Sequence, residues 1–170
     1  TGGNSGVIIG VSDMEESIKF YSGILRYGTV VYDVENTFDD LVGVAGCKQK
    51  YRRVLIKHEK RNGAFSPLLG ASTIELFQAI VRKPRKIYEN RLWGDLGYIH
   101  LCFDIIGMDH LIKECNEAGH PFTVDSANSF DMGEAAGHFS YIEDPDGTLI
   151  EFVETHKIPI MKPIGWYLNL

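Results

Sequence analysis

Short apolar runs of period two alternate along this chain with two stretches of helical period, and the order repeats. Val7-Ile8-Ile9-Gly10-Val11 is β-branched and reads as a strand. Ser12-Asp13 then offers an N-cap, with Glu15 and Glu16 in the first turn of a helix predicted over 14–25. Ile18, Tyr21 and Leu25 give that helix one apolar stripe, with Phe20 and Ile24 beside it. Strands are predicted at 29–33, 51–58 and 73–80. The loops between them span 36–50 and 59–70, the second broken by Asn62-Gly63 and Pro67. A connector at 82–96 is basic at first and then carries Tyr88, Leu92 and Trp93, which suits a partly helical linker packed by its aromatics.

The pattern then resumes. In 97–105, Ile99, Leu101, Phe103 and Ile105 fall on one face of a strand, and Tyr98, His100 and Cys102 on the other. A helix is predicted over 108–118, with Leu111, Ile112 and Cys115 inward and Gly119 in the position that ends helices. A short strand at 121–124 and a long loop at 125–137 precede a hairpin of 138–143 with 148–154, closed by Asp144-Pro145-Asp146-Gly147. In the last strand Ile150 and Phe152 share a face and Glu151 lies opposite. The order β-α-β-β-β thus occurs twice, over 7–80 and 98–154, which predicts one α+β domain of two modules within 1–170. Val7, Ile9, Ile99, Leu101, Phe103, Ile150 and Phe152 are expected beneath the helices. The tail, 155–170, holds two prolines and Trp166-Tyr167-Leu168, and is expected to pack on the body or on a continuation of the chain.

Composition narrows the picture only slightly. Of 170 residues, 44% are hydrophobic and 24% charged, which is ordinary for a soluble globular protein. A net charge of −6 weighs against nucleic acid as the main partner. The three cysteines, Cys47, Cys102 and Cys115, are scattered and form no disulfide framework. No apolar run reaches membrane length and no signal-peptide pattern opens the chain, so the expectation is a cytoplasmic protein with no membrane partner. The start, Thr1-Gly2-Gly3-Asn4-Ser5-Gly6, lacks methionine and reads as a linker, leaving room for a longer parent protein.

Val11-Ser12-Asp13-Met14-Glu15-Glu16-Ser17-Ile18-Lys19-Phe20-Tyr21 after the first strand, followed late in the chain by Asp144-Pro145-Asp146-Gly147-Thr148-Leu149-Ile150-Glu151, resembles the vicinal oxygen chelate superfamily over about residues 6–154. That group includes glyoxalase I, methylmalonyl-CoA epimerase, extradiol dioxygenases and bleomycin-resistance proteins. The resemblance implies two βαβββ modules paired into a cupped mixed sheet with helices on the convex side. It also implies a divalent metal in the cup, held by one residue from the first and one from the last strand of each module. Carried over by position, the ligands are Glu75, His100 and Glu151, while the fourth position falls at Gly6, which has no side chain to offer. One imidazole and two carboxylates suit Zn(II), Ni(II), Mn(II) or Fe(II). Water, another residue or another chain could complete the set, or metal binding could have been lost.

In the enzymatic reading the metal polarises two adjacent substrate oxygens and stabilises an enolate, with Glu151 or Glu75 as the general base. Tyr98, Phe77, Cys102 and His138 are then the expected substrate contacts, and the 125–137 loop, with Phe130 and Met132, the expected border of the cup. This makes the chain a glyoxalase- or epimerase-like lyase or isomerase acting on a small carbonyl-containing substrate. The alternative is a metal-free protein of the bleomycin-resistance type that binds a small molecule. Tyr141 with Asp144-Pro145 and Glu151 also resembles the end of the extradiol-dioxygenase signature. A histidine should lie further upstream than His138 does, which disfavours ring cleavage. Two buried carboxylates would need compensation, by a metal, by protonation or by Arg53. The working unit is open between a homodimer and a longer chain with another module pair.

Overall fold

The computed structural model describes residues 5–59, 63–126, 130–131 and 136–169. The chain divides into two units, one made of Thr1–Lys60 and Ala71–Asn90, the other of Arg61–Gly70 and Arg91–Leu170.

The first unit contains β1 (Gly6–Val11), α1 (Met14–Gly23), β2 (Thr29–Asn36), β3 (Tyr51–His58) and β4 (Ser72–Ala79). Its sheet runs β1-β4-β3-β2, with β1 parallel to β4 and the other pairs antiparallel. Asp13 starts α1 as the pattern predicts, its carboxylate accepting from the backbone N–H groups of Glu15 and Glu16 at 3.0 Å. The helix ends at Gly23, slightly before its predicted end, and the chain turns through Arg26 at φ 62°. Met14, Phe20 and Tyr21 of α1 bury with Ile9, Val11, Val54, Ile56, Ile74 and Leu76 of the strands. Arg52, on the same side of the sheet, bridges Glu15 of α1 and Asp33 of β2, each at 2.7 Å.

The second unit opens with the four-residue helix α2 (Ser66–Leu69). It continues with β5 (His100–Asp104), α3 (Met108–Glu117), β6 (Val124–Asp125), β7 (Phe130–Asp131), β8 (Ala136–Glu143), β9 (Leu149–Met161) and β10 (Trp166–Asn169). The run β5-β9-β8-β6 reproduces the order of the first sheet, with β5 parallel to β9. To it are added β7, paired with β8, and β10, paired with β9. Phe103, Ile142, Ile150 and Phe152 are buried with Met108 and Cys115 of α3. Both sheets are mixed and each carries one helix of about three turns, so the fold is α+β as predicted. Among the described residues no helix is long and apolar enough to cross a membrane.

Several boundaries differ from the sequence reading, each for a local reason. β5 is shorter than predicted, because Gly97 stands at φ 123°, outside the extended region, and leaves Tyr98 and Ile99 ahead of the strand. The short strand moves from 121–124 to Val124–Asp125, since Pro121 has no N–H to give a ladder. The connector at 80–97 holds no helix. The tail is not a separate segment. The alternation of β9 continues through Thr155 to Met161, and the chain reverses over a 3-10 turn at Lys162–Ile164 and Gly165 (φ 66°) into β10. Within the predicted 125–137 loop, Phe130 and Asp131 pair with Gly137 and Ala136, while 127–129 and 132–135, with Met132, lie outside the described residues.

The turn between β8 and β9 is closed by its own first residue. Gly147 N–H donates to the Asp144 carbonyl at 2.9 Å, and Asp144 Oδ1 accepts from the N–H groups of Asp146 (2.9 Å) and Thr148 (2.7 Å). Gly147 stands at φ 84°, so Gly147→Val should cost about 1–2 kcal/mol, read as a lowered midpoint in urea. The start of α3 is organised differently. Gly107, at φ 90°, has no side chain to cap the helix. Glu154 reaches across from β9 instead and accepts from Gly107 N–H at 2.5 Å and Met108 N–H at 3.4 Å, with His156 Nε2 3.1 Å away.

Partial burial opposes ionisation of Glu154, but the Gly107 and Met108 N–H groups and His156 together hold its carboxyl below the usual range. A depressed native value means that its stabilisation is complete above the ordinary glutamate value and is lost as pH falls through the lower one. Glu154→Ala should therefore cost about 1 kcal/mol at pH 7. The gap between wild-type and variant melting temperatures should close in titrations below about pH 4.

Candidate functional site

The two sheets share a register, and it places a carboxylate at the same point in each. On β4, Glu75 stands opposite Ile8 of β1 and Leu55 of β3. On β9, Glu151 stands opposite Cys102 of β5 and Tyr141 of β8. Two residues before Ile8 is Gly6, and two before Cys102 is His100, so Gly6 and His100 occupy equivalent positions. The neighbours of the two carboxylates, Ile74 and Leu76 in one unit and Ile150 and Phe152 in the other, are buried in the helix-side cores. Strand parity therefore directs Glu75 and Glu151 to the face opposite the helix in their own units.

In the first unit that face is closed by ion pairing. Arg53 on β3 engages Glu75 with both prongs of one edge, Nε on Oε1 and Nη2 on Oε2 at 3.1 Å. Tyr32 O–H also donates to Glu75 Oε1, at 2.6 Å. Partial burial, and then the bond to Glu75, push the Tyr32 phenol up from its ordinary value. The bonds that Arg53 itself makes to Glu75 strengthen its hold on its proton. Arg53 further donates from Nη1 to Asp40 at 2.6 Å. Its guanidinium lies 4.7 Å from the Phe38 ring centre and 5.4 Å from that of Phe77, which packs on Tyr51.

At Gly6 a Cβ would stand 2.7 Å from the Thr73 carbonyl oxygen and closer still to Thr73 Oγ1, so the β1–β4 contact excludes a side chain there. The other β1 residues of that parity, Ile8 and Gly10, carry no ligating atom.

In the second unit the corresponding carboxylate has neutral neighbours and an imidazole. His100 Nε2 lies 3.0 Å from Glu151 Oε2, and Tyr141 O–H donates to Glu151 Oε1 at 2.6 Å. Trp93 stacks on the His100 ring at 5.8 Å and 6° and meets Tyr141 edge-on at 5.6 Å. His100 Nδ1 is buried with no hydrogen-bond partner among the described residues. Crowding by protein atoms around the Cys102 sulfur, although the residue is exposed, with the hydrogen bond and charge of Glu151, pushes its thiol up, so it stays protonated at neutral pH. Trp93 escaped the sequence reading as a site residue because it stands in an irregular connector with no period to place it.

The expected site residues therefore divide. His100, Glu151 and Cys102 are neighbours in the second unit; Glu75 and Phe77 belong to the first and surround Arg53. Tyr98 is exposed and precedes β5, so strand parity does not aim it. His138 needs correction. With Ser140 it shares the helix side of β8, Ser140 bonding to Met108 of α3, and it is 3% exposed. Its Nε2 is 2.5 Å from Asp125 Oδ1, which makes it a buried strand-to-strand tie and not a contact on the face of His100 and Glu151.

Among the described residues no group of three His, Cys, Asp or Glu side chains is gathered to hold a metal ion. A four-residue cage does not fit the donors. Gly6 gives none, both Glu75 oxygens are bound to Arg53, and His100 with Glu151 are the two that remain. Arg53 compensates the charge of Glu75.

The strength of that compensation is measurable. The Arg53 and Glu75 side chains are 12% and 8% exposed. Arg53→Met alone should cost about 3–5 kcal/mol in urea denaturation, because it strands a buried carboxylate. Arg53→Met with Glu75→Leu should recover most of the loss.

Comparison with known proteins agrees on the fold. A glyoxalase family protein from Bacillus cereus has a similar fold, with TM-score 0.63, 16% identity, and 89% of this chain and 92% of that one covered. A glyoxalase family protein from Enterococcus faecalis gives TM-score 0.57 at 20% identity, covering 89% and 94%. The fosfomycin resistance protein of Listeria monocytogenes gives 0.51 at 17%, covering 91% and 93%. Among curated sequences none matches significantly. The family model matches residues 6–152, and the chain belongs to the Glyoxalase/Bleomycin resistance protein/Dioxygenase superfamily.

Proposed function

We propose that this family member is a small-molecule-binding protein of the bleomycin-resistance type, working without a protein-bound metal. The Arg53–Glu75 fork carries this reading. It puts a fixed guanidinium on a carboxylate that the metal-dependent branches would turn to an ion, at a point where Gly6 also withholds a ligand. A divalent ion would have to take Glu75 from a nearly buried guanidinium, or rest on His100 and Glu151 alone. Family membership supports a small organic molecule as the ligand.

A second reading has its own observation. His100 and Glu151, 3.0 Å apart, with Tyr141 orienting the carboxylate, make an acid–base pair. Such a pair could take a proton from carbon next to a carbonyl, the chemistry of a glyoxalase- or epimerase-like enzyme.

Protein purified without chelator and analysed for metals should contain far less than one equivalent of Zn, Ni, Mn or Fe. Titration with each ion should show weak binding, while small carbonyl and carboxylate compounds should still raise the melting temperature in the presence of EDTA. One tightly held ion per chain, lost in His100→Ala, would overturn the reading and put the metal-dependent enzyme first.

A further inference from the structure

In the first unit Glu75 alone would neutralise the Arg53 guanidinium. Arg53 spends Nε and Nη2 on Glu75, which balances its charge and uses one edge of the guanidinium. A second carboxylate, Asp40, nonetheless sits 2.6 Å from Nη1. Asp40 belongs to a 3-10 turn, Asp39–Leu41, in the segment joining β2 to β3, and its side chain is 59% exposed. That segment packs little of its own apolar surface, with Val42 and Val44 79% and 59% exposed, and it bends through Gly43 and Gly46 at φ 96° and 89°. Phe38, two residues before Asp40, lays its ring on the same guanidinium. The segment thus presents to Arg53 an aromatic ring and a carboxylate on one short tether, although the fork with Glu75 needs neither.

We propose that Arg53 is a carboxylate-recognition residue whose outer edge is occupied by the protein's own Phe38–Asp40 segment, and that the ligand of this face carries a carboxylate beside a flat aromatic group. Such a ligand displaces Asp40 from Nη1 and Phe38 from the guanidinium face. The exchange replaces one carboxylate and one ring by another of each, so the net charge at Arg53 is unchanged and no buried group is left unpaired. Phe77, 5.4 Å from the guanidinium and packed against Tyr51, stays in place. The proposal rests on the reading of the chain as a small-molecule binder and gives the chemical class of the molecule.

The test uses the full chain with 3-phenylpropionate, and 3-phenylpropionamide as the neutral match, by calorimetric titration in EDTA. Asp40→Asn removes the competing charge and should bind the acid about tenfold more tightly than wild type. The amide should bind neither protein measurably. Arg53→Gln combined with Glu75→Gln removes both buried charges together and should abolish acid binding while keeping a cooperative melt. If that double variant does not fold, the Asp40→Asn comparison of acid against amide decides alone.

A merely structural Asp40 predicts a lower melting temperature in Asp40→Asn with no gain in affinity, and that result overturns the proposal. So does equal binding of acid and amide, or acid binding retained in a folded double variant. Failure here, with other small molecules still binding metal-free protein, leaves the binding-protein reading intact. One equivalent of tightly held metal removes that reading independently of the titration.

Discussion

Everything at the candidate site depends on the register of two parallel strand pairs, β1 with β4 and β5 with β9. Side chains alternate across a strand, so a slip of one residue in either pair would send Ile74 and Leu76, or Ile150 and Phe152, out of the core and turn Glu75 or Glu151 into it. Burying those apolar side chains is worth about 1.5–3 kcal/mol each, against which no surface polar contact competes. The helix-side cores thus decide where the carboxylates point, and the carboxylates then take whatever partner the adjoining strands provide.

Those partners are where the two units part company. Equivalent carboxylates meet a permanently charged guanidinium in one unit and an imidazole, a phenol and a thiol in the other. The first carboxylate is held by a planar two-pronged ion pair; the second is held by single contacts to an imidazole and a phenol. A repeated module has thereby set one carboxylate against an arginine and its counterpart against a histidine.

The module order, the α+β class, the Asp13 cap and the turn at Asp144–Gly147 were legible in the chain because each rests on local period or on the demands of one residue type. The positions of Glu75, His100 and Glu151 on the face away from the helices were legible for the same reason. The partners of these residues were not. Arg53 stands on the strand beside Glu75, and strand pairing is a tertiary fact that alternation along one strand does not encode. The period of β8 alone assigns His138 to the side of Ser140 and Ile142, away from Tyr141. Trp93 and β10 lay in stretches read as connector and tail, where proline, glycine and short runs obscure the alternation.

The capping of α3 by Glu154 has a consequence for how this chain reaches its native state. The bond from Gly107 N–H spans 47 residues, so the helix has no built-in start and its first turn is completed by a strand formed almost at the end of the module. The partner strand of β5 is that same β9. Closure of so long a loop precedes both contacts, and its entropic cost falls on a single event. The first unit differs, since α1 carries its own cap at Asp13 and can begin to wind from local sequence alone. During synthesis the two helices therefore mature unequally: α1 can be capped as soon as its own residues are free, while α3 gains its cap only once β9 has been made.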